Sequence, residues 1–174
     1  MEDIGGIYLS KYMDEKLVSL EEFLKQAIIL TKILAGLNHN QVIHKDIKLQ
    51  NILINPQTKQ IKLIDFSIAS LLPKETQEIT NPNILEGTLA YISPEQTGRM
   101  NRGIDYRTDF YSLGVTFYEL LTGQLPFNSS DPMELVHYHL ARIATPPNEL
   151  IPTIPKTVSD IVMKLLAKTA ESRY

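Results

Sequence analysis

Between residues 43 and 52 the sequence reads IHKDIKLQNI, a polar run closed on both sides by isoleucine. His44, Asp46, Lys48 and Asn51 bring an imidazole, a carboxylate, an ammonium and an amide into one short stretch. A carboxylate such as Asp46 can take the proton of an attacking hydroxyl, and Lys48 can set its charge against a transferring phosphoryl group. Asp65, further along, adds a second carboxylate. The amide oxygen of Asn51 and the carboxylate of Asp65 are hard donors of the kind Mg2+ takes together with phosphate and water. Charge neutralisation, alignment and an oriented nucleophile are what phosphoryl transfer requires. The plainer reading is a polar turn in which Asp46 and Asn51 satisfy backbone groups. With each residue type at about one in twenty, four fixed positions arise by chance in such a chain roughly once in a thousand.

The flanking sequence must hold these groups in place. Ser19 with Glu22 forms a capping box, and Leu20, Phe23, Leu24, Ala27, Ile28, Leu34 and Leu37 continue a helical stripe to about Asn38. Two short apolar runs, at 51–54 and 61–65, are joined through Asn55–Pro56 and predict a hairpin. Its two ends carry Asn51 and Asp65. From Ser67 to Arg107 periodicity is lost, which predicts a long functional loop. Asp109 is placed as N-cap of a helix over FYSLGVTFYELLT that Gly123 ends, apolar on nearly all sides and hence central. Asp131, Pro132 and Glu134 give a further capped start, and a last helix runs through VSDIVMKLLAK. The opening MEDIGGIYLSKYM, with Gly5–Gly6, reads as a connector. The expected architecture is mainly α, with one small β-hairpin and one long central loop.

Composition narrows the function classes. The 174 residues suit one domain, 43% hydrophobic and 21% charged. A net charge of −3 argues against a general nucleic-acid partner. No uninterrupted apolar run suggests membrane insertion, and no signal pattern opens the chain. The absence of cysteine excludes thiolate metal sites and fits a cytoplasmic protein. His137 and His139, two apart, point to different faces of a helix and read as surface or packing residues.

With these residues in view, the chain resembles the eukaryotic-type Ser/Thr protein kinases. HKDIKLQN (44–51) resembles their catalytic loop, DFS (65–67) the metal-binding DFG element, and GTLAYISPE (87–95) the end of the activation segment. DFYSLG (109–114) is similar to the start of their central helix, whose aspartate ties back to the catalytic loop, and Arg173 stands where the family pairs an arginine with the residue matching Glu95. The resemblance implies the following roles. Asp46 is catalytic, Lys48 faces phosphate, and Thr88 bridges towards both. Asn51 and Asp65 hold Mg2+. Glu2, Ile4 and Leu53, with Ile64, meet the adenine of ATP. The substrate implied is a protein Ser/Thr hydroxyl. The stretch from Ser93 to Phe127 further resembles the kinase module of large bacterial proteins that carry a sensor histidine kinase later in the chain, which implies downstream signalling domains as partners.

Departures qualify this. No G-x-G-x-x-G and no preceding strand lysine occur. MEDIGG resembles the hinge between kinase lobes, so residues 1–16 are expected to be hinge and connector. Residues 1–174 are then expected to be a partial kinase domain, the C-terminal lobe without its N-terminal one. Such a chain alone should transfer phosphate weakly or not at all. Ser67 replaces a glycine and Lys45 an arginine. The alternative is a pseudokinase or scaffold-type binding module, which commonly loses one of Asp46, Lys48, Asn51 or Asp65. A small-molecule phosphotransferase would lack Lys48 and the GT-x-x-Y-x-x-PE pattern.

Overall fold

Ser19 opens the long helix α2 (Leu20–His39): its backbone is extended and its Oγ accepts the Glu22 N–H at 3.2 Å. The Glu22 carboxylate accepts from Tyr12 Oη, and Lys59 Nζ reaches it at 3.1 Å. Glu22 thereby ties α2 to the segment before it and to the hairpin turn. The computed structural model describes residues 4–15, 18–71, 89–99 and 103–174.

The opening segment, expected to be a connector, contains strand β1 (Ile7–Tyr8) and helix α1 (Leu9–Glu15). Leu9 and Tyr12 are buried three residues apart on one helical face, a spacing that the preceding Gly5–Gly6 obscures. Strand β2 (Val42–Ile43) follows α2, and the expected hairpin forms from β3 (Ile52–Ile54) and β4 (Ile61–Leu63), with Ile52 opposite Leu63. Asn55 shapes its turn, its Oδ1 accepting from Gln57 N and Thr58 N, both at 2.8 Å. β1 adds to the hairpin in the order β1-β3-β4. The stretch expected to be loop begins with β5 (Ser70–Leu71), antiparallel to β2, and contains 3-10 turns at Leu89–Tyr91 and Pro94–Thr97.

Helix α3 (Arg107–Thr122) lies at the centre, buried continuously from Tyr111 to Tyr118. It starts two residues before Asp109, so that residue is not the N-cap; Asp105 Oδ1 receives the Arg107 N–H instead, at 2.8 Å. Asp109 is committed elsewhere. Gly123 ends the helix in the left-handed region, φ 71°, with its N–H on Glu119 O. Helices α4 (Pro132–Ala141), α5 (Pro147–Leu150) and α6 (Lys156–Leu165) complete the chain. A Cβ at Gly114 would stand 2.7 Å from Leu165 Cβ, so the α3–α6 contact admits no side chain there. Asp131 caps α4 through Met133 N, whereas Glu134 does not close a box but binds Ser129 Oγ and Tyr138 Oη. His139 packs in the core against Tyr111, and His137 is exposed, as their spacing implied.

One core position breaks the pattern. Gln26 of α2 is 3% exposed, and neither its Nε2 nor its Oε1 has a hydrogen-bond partner. Two orphaned amide atoms cost about 1–3 kcal/mol that an apolar side chain of similar shape would not. Gln26→Met should therefore raise unfolding stability by about 1 kcal/mol or more, read as a higher urea midpoint at unchanged slope.

Candidate active site

The polar run sits in the bend between β2 and β3, and Asp109 sets its shape. Asp109 is 3% exposed; its Oδ2 accepts the His44 N–H and its Oδ1 the Lys45 N–H, both at 2.8 Å. Burial pushes its carboxyl up to about 6, against the pull of these two donors. Aiming consecutive N–H groups at one carboxylate puts Lys45 at φ 69°. The Lys45 carbonyl, turned the other way, accepts from Gln96 Nε2 at 3.0 Å.

His44 is fully buried, and its two ring nitrogens do different work. Asp46 N–H donates to Nδ1 at 3.3 Å, so Nε2 carries the proton and faces Ile64 O at 3.1 Å. Burial holds the imidazole below its usual range, in keeping with this neutral tautomer. The ring is also edge-on to Phe66, with centroids 4.6 Å apart. His44 thus clamps the bend to the segment that carries Asp65.

Asp46 itself is 8% exposed. Its Oδ2 accepts from Lys48 Nζ at 2.8 Å and from Asn51 Nδ2 at 2.7 Å. Its Oδ1 is buried without a hydrogen-bond partner. The Asn51 amide donates also to the Asp46 carbonyl at 2.8 Å, which fixes its flip and leaves its oxygen unspent on Asp46. Across the hairpin base, Ile64 N–H binds Asn51 O at 2.9 Å, so Asn51 and Asp65 end up one residue apart in register. Asp65 is exposed, at φ 63°, and Ser67 hydrogen bonds hold its carboxyl below the usual range. Ser67 N contacts Asp65 Oδ1 at 3.2 Å. The serine in a glycine position therefore has a positive part: its side chain adds a hydrogen bond to the Asp65 carboxylate that a glycine could not make.

This donor set fits a magnesium ion completed by phosphate and water. Among the described residues no group of three or more His, Cys, Asp or Glu is placed to hold a metal alone. One amide oxygen and one ionised carboxylate are the partial set that Mg2+ accepts when the substrate supplies the rest.

Ile4 and Leu53 come together beside Gly6, where a Cβ would approach them to 3.1 and 3.3 Å. Asn55 Nδ2 holds the Ile4 carbonyl at 2.6 Å. Glu2 and Thr88 lie outside the described residues. Arg173 meets Glu95 through two parallel bonds of 2.6 and 2.9 Å, as the spacing of the resemblance implied. Thr108 Oγ1 adds a bond to Glu95 at 2.8 Å. Sequence reasoning missed Gln96, which carries the Lys45 carbonyl. Its signal was present: Ser93 and Gln96 form a full capping box with Pro94 at the first position.

The protein kinase domain family matches residues 1–174. A probable serine/threonine-protein kinase of Clostridium perfringens is 35% identical over all of this chain and 25% of its own length. Another, of Clostridium acetobutylicum, is 33% identical over all of this chain and 26% of its own. The serine/threonine-protein kinase PknB of Mycobacterium tuberculosis is 35% identical over 79% of this chain and 21% of its own. The chain thus spans about a quarter of the length of the curated relatives it matches.

Two substitutions probe the frame. Asp109→Asn turns an amide NH2 towards a backbone N–H, and should cost about 2–3 kcal/mol and speed hydrogen exchange at the His44 and Lys45 amides. Arg173→Met leaves Glu95 buried and unpaired and should cost about 3–5 kcal/mol in denaturant titration, much of it recovered by adding Glu95→Leu.

Proposed function

Because the chain belongs to the protein kinase family, we propose that it carries the catalytic loop and metal corner for transfer of the ATP γ-phosphoryl group to protein Ser/Thr hydroxyls. The observation that carries this is the unpartnered Oδ1 of the buried Asp46. With its other oxygen fixed by Lys48 and Asn51, the carboxylate keeps one orientation and one unused acceptor, which is what accepting and orienting a hydroxyl proton demands once a substrate opens the way to it. Lys48, salt-bridged to Asp46, would offset charge on a phosphoryl group transferred beside that carboxylate. Asn51 and Asp65 would hold Mg2+. The ion, when bound, neutralises phosphate oxygens and fixes their orientation. Ile4 and Leu53 offer an apolar surface for the adenine, with Glu2 and Thr88 assigned to hinge and bridge by resemblance.

The 174 residues contain no glycine-rich loop and no strand lysine to cover and position the α- and β-phosphates. The chain supplies the acceptor-activating half of a kinase site, and in-line alignment depends on those further groups. A cytoplasmic setting, protein substrates and companion signalling domains follow from the same reading. Among the described residues no helix is long and apolar enough to cross a membrane.

The decisive comparison is peptide phosphorylation by the natural gene product and its Asp46→Asn form. A loss of about a thousandfold in kcat at unchanged melting temperature is expected. Undiminished transfer by Asp46→Asn would remove the proposed role, and nucleotide-independent partner binding with no transfer by either form would favour a scaffold.

A further inference from the structure

On the side of the lobe beneath the Glu95–Arg173 pair, a cavity of about 370 Å3 opens between the start of α3 and the end of the chain. Glu95, Asp105, Arg107, Lys168 and Glu171 line it. Four of these five have evident electrostatic company. Arg107 forks onto Asp105, with Nη2 to Oδ2 at 2.6 Å, Glu95 is held by Arg173, and Glu171 attracts Arg107.

Lys168 is different. Among the described residues its ammonium has no carboxylate partner. Nζ donates to two backbone carbonyls in the last turn of α4, Tyr138 O at 3.1 Å and His139 O at 2.9 Å. It lies over the Phe127 ring at 4.5 Å and the Tyr111 ring at 5.9 Å. The guanidinium of Arg173 shares the Tyr111 ring at 4.9 Å. A lysine taken partly out of water, beside another cation and without a counter-charge, is the recognised setting of a nucleophilic amine.

From this cluster we infer that Lys168, which stays partly exposed, is an acylation site for small activated acyl donors such as acyl phosphates. The neutral amine attacks the carbonyl carbon of the donor and a C–N bond forms. The C–O bond to phosphate breaks, phosphate leaves with the electron pair, and the amine proton passes to it. No oxidant or further reactant is needed.

The titration properties of the surroundings support this. Burial first, and then the Arg173 charge, hold the Lys168 ammonium below the ordinary lysine range, at about 8. The groups facing it do not supply a compensating negative charge near neutrality. His139 is kept neutral, its pKa pulled down to about 3 by burial, and Tyr111 is pushed up and stays protonated. Tyr138, kept protonated by its bond to Glu134, contributes only its carbonyl to the contact. Asp105 and Glu95 are spent on Arg107 and Arg173.

Acylation would have a structural consequence. An amide nitrogen has one N–H, too few for the two α4 carbonyls, and the charge over Phe127 disappears. The same segment presents Ala167 O and Lys168 O to Arg173, at 2.9 and 3.4 Å. Loosening it therefore weakens the seat of the Glu95–Arg173 pair.

The test is acetyl phosphate treatment of the folded protein between pH 6.5 and 9.5, with site occupancy read by peptide mass spectrometry. Lys25 and Lys156 are the references, with side chains 71% and 76% exposed. An amine that titrates at about 8 is about a quarter neutral at pH 7.5, against about one in a thousand for an ordinary lysine, and its lower basicity gives part of that back. Lys168 should label roughly tenfold faster than either reference at pH 7.5, with a rate that levels off just above pH 8. Lys168→Arg should abolish this fast phase while keeping the melting temperature, and Lys168→Gln should lower it. Labelling of Lys168 no faster than Lys25 and Lys156, or a rate still climbing beyond pH 9, would overturn the assignment.

Discussion

The bend of the candidate active site depends on one buried carboxylate that belongs to another element. Asp109 binds the N–H groups of two consecutive residues, 65 and 64 positions earlier in the chain. Consecutive N–H groups in an extended chain point to opposite sides, so this demand forces Lys45 into the left-handed region. That conformation costs about 1 kcal/mol or more in a non-glycine residue, and the two charge-assisted bonds offset it. Everything downstream follows from the turn. Asp46 N–H meets the His44 ring, the ring meets Ile64 O, and the Asp65 segment is held against the bend.

The same demand explains where local sequence rules succeed and where they fail. Ser19, Gly123 and the β3–β4 hairpin obey short-range chemistry, and capping, left-handed termination and turn residues are enough to find them. Asp109 looked like a cap because an aspartate before an apolar run usually is one. Its partners lie at His44 and Lys45, which no periodicity records and which the family resemblance, tying this aspartate back to the catalytic loop, anticipated. The short helix α1 failed for a related reason, since two inward residues make a face only once β3 and the turn at Leu49–Asn51 stand beside it. Ser67 and Gln96 serve the site through hydrogen bonds; the capping box marks Gln96 as a helix-start residue, and nothing local marks its bond to the Lys45 carbonyl. The family resemblance recovered the Glu95–Arg173 pair, which bridges 78 positions and which pattern reasoning alone could not reach.

That pair illustrates how fully a buried charge must be answered. Arg173 Nε donates to Ala167 O; Nη1 to Glu95 and Arg107 O; Nη2 to Glu95 and Lys168 O. All five guanidinium donors are used. Desolvating two charges is expensive, and a well-packed apolar pair of the same volume can equal it in stability. What the ion pair adds is geometry. It fixes the turn at Pro94–Thr97, whose Gln96 holds the Lys45 carbonyl, and so reaches the His44–Asn51 bend through one further bond.

Comparing the buried carboxylates separates scaffolding from chemistry more sharply than residue type does. Asp109 has both oxygens engaged by backbone N–H groups, and Glu95 has both engaged by Arg173, with Thr108 on one. Asp46 spends one oxygen twice, on Lys48 and Asn51, and leaves the other buried and unanswered. An unsatisfied buried acceptor costs about 1–3 kcal/mol, and unlike the orphaned amide of Gln26 in the core this one belongs to the polar bend beside Lys48 and Asn51. Keeping the oxygen bare while bracing its twin is the arrangement expected of a group awaiting a donor from outside the protein. Under the proposed function a substrate hydroxyl is that donor, and the bracing sets the direction from which it must come.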